Sequence, residues 1–487
     1  MSWAPARHAT VGPKAGGAGA SESRDIAVIV GSAAPPVCHP WVSRAVPLRE
    51  NATVSSPDSF PPIVFVHGNG DTAALWFTTV WRFESNGWPR DRLHAIDLPY
   101  PLARDDEHTP QPGRTSSAEH MAFLAAEVER VRAATGARRV LLVANSRGGY
   151  AVRNYLARGG GADKVSHVVL GGTPNHGVWT SAEHLPHNEF NGAGPLLRAL
   201  NEPGPDGHEV TPGVAWLTLR SDGNDKYCQP TGHWIGVPHL ATGTGPDSPE
   251  LRGAVNVVVP GVDHRETSYG PEAFAHTWAF LTGAPPATLS IEPEPQLRLD
   301  GKVSGFGVDN RKGFDPTNLP LVGARLEVFA THPDTGERLG PAVHVRTIGP
   351  EGRWGPMTAR PGQPYEFVIT ADGYPVTHVY RSPFVRSSEL IHLRAERLPK
   401  PEATPPLSRV TLSRPRGFFD RQRDRVMLDG QCPPPDVPPG VAGVSVAVAR
   451  VTDRAGRTVQ AEFNGERIAG LAWPLAEGHL VTFELHH

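Results

Sequence analysis

Six short apolar runs constrain the fold of this chain more than any other feature. They are IVFV at 63–66, LHAI at 93–96, RVLLVA at 139–144, VSHVVL at 165–170, VAWLTL at 214–219 and AVNVVV at 254–259. Near-continuous Val/Leu runs of this length are what strands buried on both faces require. Helix signals lie between them. Ser116-Ser117-Ala118-Glu119 is a capping box, and Met121, Leu124, Val128 and Val131 then mark one helical face. Gly136 stands where a helix C-cap belongs. Strands alternating with helices predict an α/β class, a doubly wound and mostly parallel sheet.

The pattern changes after Ala284-Pro285-Pro286. Ala324, Leu326, Val328 and Ala330 alternate with other residues, Asp334-Thr335-Gly336 marks a turn, and Tyr365, Phe367 and Ile369 alternate again. Short period-2 strands broken by turns predict an all-β C-terminal region, a sandwich or barrel. A second Pro-rich stretch at 398–406 precedes a last segment with a strand-like run at 441–448. The expected organisation is a disordered tail over 1–24, a catalytic domain over 25–284, a β-domain over 290–398, and a small β unit or extension of it over 407–487. Residues 178–213, long for a connection between core strands, fit a cap or an ordered surface loop.

Composition narrows the function classes. Gly and Pro, 52 and 51 of 487 residues, stay below the roughly 25–30% of a low-complexity chain. A net charge of -3 offers no electrostatic reason for a nucleic-acid partner. Three cysteines, Cys38, Cys228 and Cys432, exclude a disulfide scaffold and match no zinc spacing. No run approaches the ~18 apolar residues of a membrane span. Residues 1–24 have no apolar stretch after a basic start, so no secretory signal is read and the cytoplasm is the default compartment, with secretion open if the start is mis-called. Asn51-Ala52-Thr53 is a glycosylation sequon. His176, His184, His187, His233 and His239 cluster without a metal-ligand spacing, and no metal or cofactor is expected. Arg414, Arg416, Arg421, Arg423 and Arg425, diluted by Asp420 and Asp424, read as a solvated strand face.

The chemistry gathers at the ends of the apolar runs. After 139–144 come Asn145-Ser146-Arg147-Gly148-Gly149 and a helical run from Tyr150 to Arg158. Strand, sharp turn and helix with serine at the apex form a nucleophile elbow, where small neighbours are needed because strand and helix nearly touch. Gly148 meets that need, and Ala144 stands where Gly is usual. A serine nucleophile requires a base, and the base an orienting carboxylate, in the chain order Ser, acid, His. The loop after 214–219 offers Asp222 and Asp225, and the loop after 254–259 offers Asp263 and His264. Asp225 is preferred to Asp222, which reads as a turn residue, as does Asp263. His264 is the expected base. The oxyanion donors are the main-chain N–H groups of Arg147 and of the His67-Gly68-Asn69-Gly70 loop, Asn69 ahead of Gly70 or Asp71. His67 reads as a structural histidine below the site.

As a set, VFVHGNG, VANSRGG, GGTPNHG at 171–177, NDKYCQP at 224–230 and PGVDH at 260–264 resemble the blocks of α/β-hydrolase lipases and carboxylesterases. Ala144 resembles the Ala-x-Ser-x-Gly variant of small bacterial lipases. The two-part layout is similar to bacterial and archaeal lipases with a C-terminal β-domain. The resemblance implies hydrolysis of carboxylic esters, acylglycerol-like in kind, by Ser146, Asp225 and His264, and contact with a lipid interface through the β-region. Arg147 departs from the resemblance, since these lipases often have Met or Gln there, and its guanidinium is expected to change which acyl chains fit. A polyester depolymerase, amidase or transacylase would use the same triad; a lipid- or carbohydrate-binding protein with an inactive hydrolase domain is the alternative from another class.

Overall fold

The computed structural model describes residues 60–242, 245–308 and 313–487. The expected N-terminal tail, Cys38 and the sequon at Asn51 lie outside them. All six apolar runs form strands: β1 (Ile63–Val66), β2 (Leu93–Ile96), β3 (Val140–Asn145), β4 (Val165–Gly171), β5 (Ala215–Ser221) and β6 (Val255–Val259). They make one fully parallel sheet in the order β2-β1-β3-β4-β5-β6. Each parallel crossover needs a connection long enough to return across a sheet face, and helices supply most of them. They are α1 (Phe77–Ser85), α2 (Ser117–Thr135), α3 (Arg147–Arg158) and the short α4 (Pro195–Leu200); α5 (Glu266–Tyr269) and α6 (Pro271–Thr282) follow the last strand.

Local chemistry sets the boundaries. Ser116 Oγ accepts from Glu119 N–H at 3.2 Å while Ser116 N–H donates to Glu119 Oε2 at 2.7 Å, so both ends of the capping box close. Helix α2 stops at Gly136, whose φ of 68° lies in the left-handed region that favours glycine. Leu124, Val128 and Val131 are fully buried against β1 and β3. Every residue of the central β3 is buried; each large apolar side chain removed from water there contributes roughly 1.5–3 kcal/mol. Strand β6 departs from expectation: Val255 and Val258 are exposed, because β6 is the edge of the sheet and has one neighbour instead of two.

The C-terminal region is mostly β strands. Its main sheet has seven strands: β7 (Arg325–Ala330), β8 (His344–Thr347), β9 (Tyr365–Thr370), β10 (Val376–Arg381), β11 (Ser408–Ser413), β12 (Val446–Val451) and β13 (His479–Glu484). They lie in the order β8-β7-β9-β10-β13-β11-β12. The C-terminal strand β13 runs parallel to both neighbours and joins β10 to β11. One sheet therefore crosses the Pro-rich stretch at 398–406. The run expected at 441–448 becomes a strand at 446–451, after a loop held by Val444–Phe419 bridging. A three-stranded sheet of Val426–Leu428, Thr458–Phe463 and Glu466–Leu471 covers the later strands.

The two regions share a core. Phe77 and Trp81 of α1 are buried among Leu326, Phe367, Phe384 and Leu393 of the β-region. Polar ties flank them: Lys302 pairs with Asp97 at 2.8 Å, and Asn318 donates to the carbonyls of Asp71 and Leu98. Among the described residues no helix is long and apolar enough to cross a membrane.

Candidate active site

Ser146 sits between β3 and α3 with φ 50° and ψ -121°, a conformation that a non-glycine residue rarely adopts. Helix α3 starts directly at Arg147, three residues ahead of the expected Tyr150. A first-turn N–H has no intrahelical acceptor, so this early start frees the Arg147 donor. The crossing at the turn is close: a Cβ on Gly148 would stand 2.7 Å from the carbonyl oxygens of Val66 and His67. Ala144 tolerates its methyl because it points into the core with Val66 and Leu170. Thr173 of the GGTPNHG block donates its hydroxyl to the Ser146 carbonyl at 3.0 Å.

The loops after β5 and β6 meet beside the serine. His264 Nδ1 lies 2.7 Å from Asp225 Oδ2, with both side chains buried. Asp225 Oδ1 also accepts from Tyr227 N–H at 2.8 Å, which fixes the carboxylate. Asp222 is engaged elsewhere, accepting from Asn224 N–H at 3.0 Å and from Gly261 N–H at 2.9 Å. It thereby shapes its own turn and ties it to the histidine loop. The His67-Gly68-Asn69-Gly70 loop follows β1. Gly70 N–H donates to Pro101 and Asp71 N–H to Gly68, whereas among the described residues no acceptor meets Asn69 N–H. Asn69 Oδ1 accepts from Ala103 N–H at 2.8 Å and anchors the loop. His67 is buried and accepts from Leu98 N–H at 3.1 Å through Nε2; burial lowers its pKa and keeps it neutral.

Ser146, His264 and Asn69 line one cavity, together with Pro174, Val178, Phe190, Tyr227, Arg265 and Phe418. Three of these were not legible in the sequence. Tyr227 packs edge-on to the His264 ring at 4.5 Å between centroids. Arg265 binds Asp71 with two hydrogen bonds, at 2.7 and 3.2 Å, and so links the histidine loop to the loop that follows β1. Phe418 arrives from the C-terminal region.

Three expectations are corrected. The Arg147 guanidinium does not face the cavity; it is fully buried, paired with Glu189 and bonded to the carbonyls of Pro101 and Thr115. Arg414 and Arg416 are not a solvated face, since both are buried. Asp263 is more than a turn residue. Its Oδ1 accepts from the N–H groups of Arg265 and Glu266, and its Oδ2 from Arg414 and from Phe418 N–H. Burial raises the Asp263 pKa and Glu266 adds to that, against the pull of Arg414. The histidines do not converge on a metal: His176 pairs with Glu209 and His187 with Asp106. Among the described residues no group of three or more ligating side chains is close enough to hold one.

A sequence model of the α/β hydrolase fold family matches residues 61–229, and a model of the lipase C-terminal domain matches residues 295–398. The first of these regions thus matches the α/β hydrolase fold, and the second a lipase C-terminal domain. The region matched to the hydrolase fold carries β1 to β5 of the parallel sheet and the serine turn, and the region matched to the lipase C-terminal domain carries the first four strands of the seven-stranded sheet. Among solved structures, Aspergillus fumigatus lipase B is 14% identical with a TM-score of 0.35, over 49% of this chain and 57% of the lipase. This chain thus spans little more than half of that lipase. The mature form of Bacillus licheniformis lipase BlEst2 is 22% identical with a TM-score of 0.32, over 46% of this chain and 92% of its own. An esterase RhEst1 from Rhodococcus sp. ECU1013 is 16% identical with a TM-score of 0.28, over 46% and 91%.

Proposed function

We propose that the protein is a serine hydrolase that cleaves carboxylic esters through Ser146, His264 and Asp225. One observation carries this reading. A serine in strained backbone at a strand–helix turn shares a cavity with a histidine whose far nitrogen is 2.7 Å from a buried aspartate.

In this reading Ser146 Oγ attacks the ester carbonyl carbon while His264 Nε2 takes the hydroxyl proton. Asp225 holds the proton on Nδ1 and stabilises the imidazolium. The carbonyl oxygen gains negative charge, which the N–H groups of Asn69 and Arg147 receive. The carbon–oxygen bond to the alcohol breaks, and His264 returns the proton to that oxygen. Water, deprotonated by His264, then attacks the acyl-serine and releases the acid and free Ser146. Every proton shuttles through His264, so the sequence needs no cofactor. An acylglycerol-like substrate and contact with a lipid surface rest on the match to a lipase C-terminal domain. Leu339, Val343 and Val345, exposed along the edge strand β8 and the segment leading into it, are the apolar surface such contact would use.

Hydrolysis of p-nitrophenyl esters of increasing acyl length, wild type beside Ser146→Ala, tests the reading. Wild type should turn over at least the short esters, with Ser146→Ala slower by at least ~10³-fold. If the variant keeps more than about a tenth of the activity, the nucleophile is wrong.

A further inference from the structure

Phe418 is 5% exposed and comes from the loop after β11, far in sequence from every proposed reacting group. It nonetheless lines the cavity that holds Ser146 and His264. Its main chain is fastened to the histidine loop from both sides. Phe418 N–H donates to Asp263 Oδ2 at 2.6 Å, and its carbonyl accepts from Arg414, which also binds Asp263 at 2.9 Å. Arg414 reaches on to Glu266 at 2.5 Å and to the Tyr269 hydroxyl at 2.9 Å, and Arg423 adds a 2.6 Å bond to Glu266. A Cβ on the preceding Gly417 would stand 2.5 Å from the Arg414 guanidinium carbon and 2.6 Å from the Tyr269 hydroxyl, so glycine lets the loop pass close to both.

The ring is fixed as well. The Lys226 ammonium lies 4.1 Å from its centroid and the Arg265 guanidinium 4.9 Å, both within the range of a cation–π contact. Lys226 follows Asp225 and Arg265 follows His264 in the chain. The ring is thus held by the two loops that carry the acid and the base. The chemistry gives this side a meaning. A base that hands its proton to the leaving alcohol must have that alcohol beside it, so the histidine side of the cavity receives the alcohol part of the ester.

We propose that Phe418 determines specificity for the alcohol part of the ester, as a wall of the leaving-group subsite supplied by the C-terminal region. This rests on the ester-hydrolase reading above and deepens it. Two main-chain hydrogen bonds and two cation–π contacts hold this residue in place, so bulky alcohols meet a fixed wall.

The test compares wild type, Phe418→Ala and Phe418→Leu in the full chain. At a fixed butyryl group, kcat and KM are measured for methyl, ethyl, benzyl and 1-naphthylmethyl esters. At a fixed p-nitrophenyl alcohol, the acyl group is varied from acetyl to octanoyl. Labelling of Ser146 by a small alkyl fluorophosphonate reports that the site is assembled. Phe418→Ala should raise the kcat/KM ratio of naphthylmethyl to methyl ester by about tenfold or more, carried mainly by KM, with Phe418→Leu between it and wild type. The order of preference among acyl chains should stay as in wild type. An unchanged alcohol ratio overturns the proposal, and so do alcohol and acyl preferences that shift together. Loss of labelling in both variants would make Phe418 a structural residue and would equally overturn it. Wild type that neither labels at Ser146 nor cleaves any ester would instead defeat the ester-hydrolase reading, and this proposal with it.

Discussion

Ser146 keeps a φ of 50° at a cost of about 1–3 kcal/mol, offset by the packing of β3 and α3 around it. Such strain is tolerated where surrounding structure fixes it, and Gly148 and Thr173 do that here. Single substitutions can then separate the proposed roles. Ser146→Ala and His264→Ala should each lower ester turnover by at least ~10³-fold, and the double variant should be little worse than either, because the pair acts as one unit. Multiplying losses in the double variant would count against a shared step. Asp225→Asn should slow turnover far more than Asp222→Asn, since Asp225 contacts His264 while Asp222 binds only turn groups. The same assay on both variants decides it, and a larger loss at Asp222 would reverse the assignment.

At the scale of elements, the segment before α4 is tethered to α3 through one buried ion pair. Glu189 is 1% exposed; one carboxylate oxygen meets Arg147, and the other has no partner among the described residues. Burial pushes the Glu189 carboxyl up to about 7, against the pull of Arg147. The folded protein therefore binds this proton more tightly than the unfolded chain, whose carboxyl titrates near 4.5. Between those two values the folded state holds the extra proton, so stability falls as pH rises through the window. Denaturant midpoints of wild type should decline from about pH 5 to 7 more steeply than those of Glu189→Gln, whatever the offset between the curves. Parallel profiles would show that Glu189 is already ionised at pH 5.

For the whole molecule, the structure changes what the composition break at Pro285-Pro286 means. A β-domain hung beside the site would be dispensable for cleaving a small ester. Instead Phe77 and Trp81 are buried in the β-region's core, and Asp263 and Glu266 find their cation in Arg414. Exposing one such aromatic costs roughly 3–5 kcal/mol by analogy with its truncation, and an unpaired buried carboxylate costs a similar amount. A chain ending at Gly283 should be insoluble, or impaired alike on a short soluble ester and on emulsified long-chain triglyceride. A chain ending at Leu398, where the match to the lipase C-terminal domain stops, should fail as well, because β13 no longer joins β10 to β11. Soluble yield, circular dichroism and both assays check this; a truncated chain with full activity on the short ester would refute the shared core.

The sequence by itself determined whatever depends on near neighbours in the chain. Apolar runs of strand length specified the sheet, the Ser116–Glu119 box and Gly136 bounded α2, and the Asn145–Gly149 turn with the Asp225 and His264 loops located the candidate site, because these are signals of local backbone and of period. Tertiary structure decided what depends on partners far away in the chain. Nothing near Arg147 foretells that its guanidinium turns inward to Glu189, and nothing in a run of five arginines separates the buried Arg414 from its exposed neighbour Arg425. Phe418 carries no motif, and it reaches the cavity only because Asp263, 155 positions earlier, accepts its N–H. A buried charge or a cavity wall is defined by what the folded chain brings opposite it, and sequence spacing does not encode that.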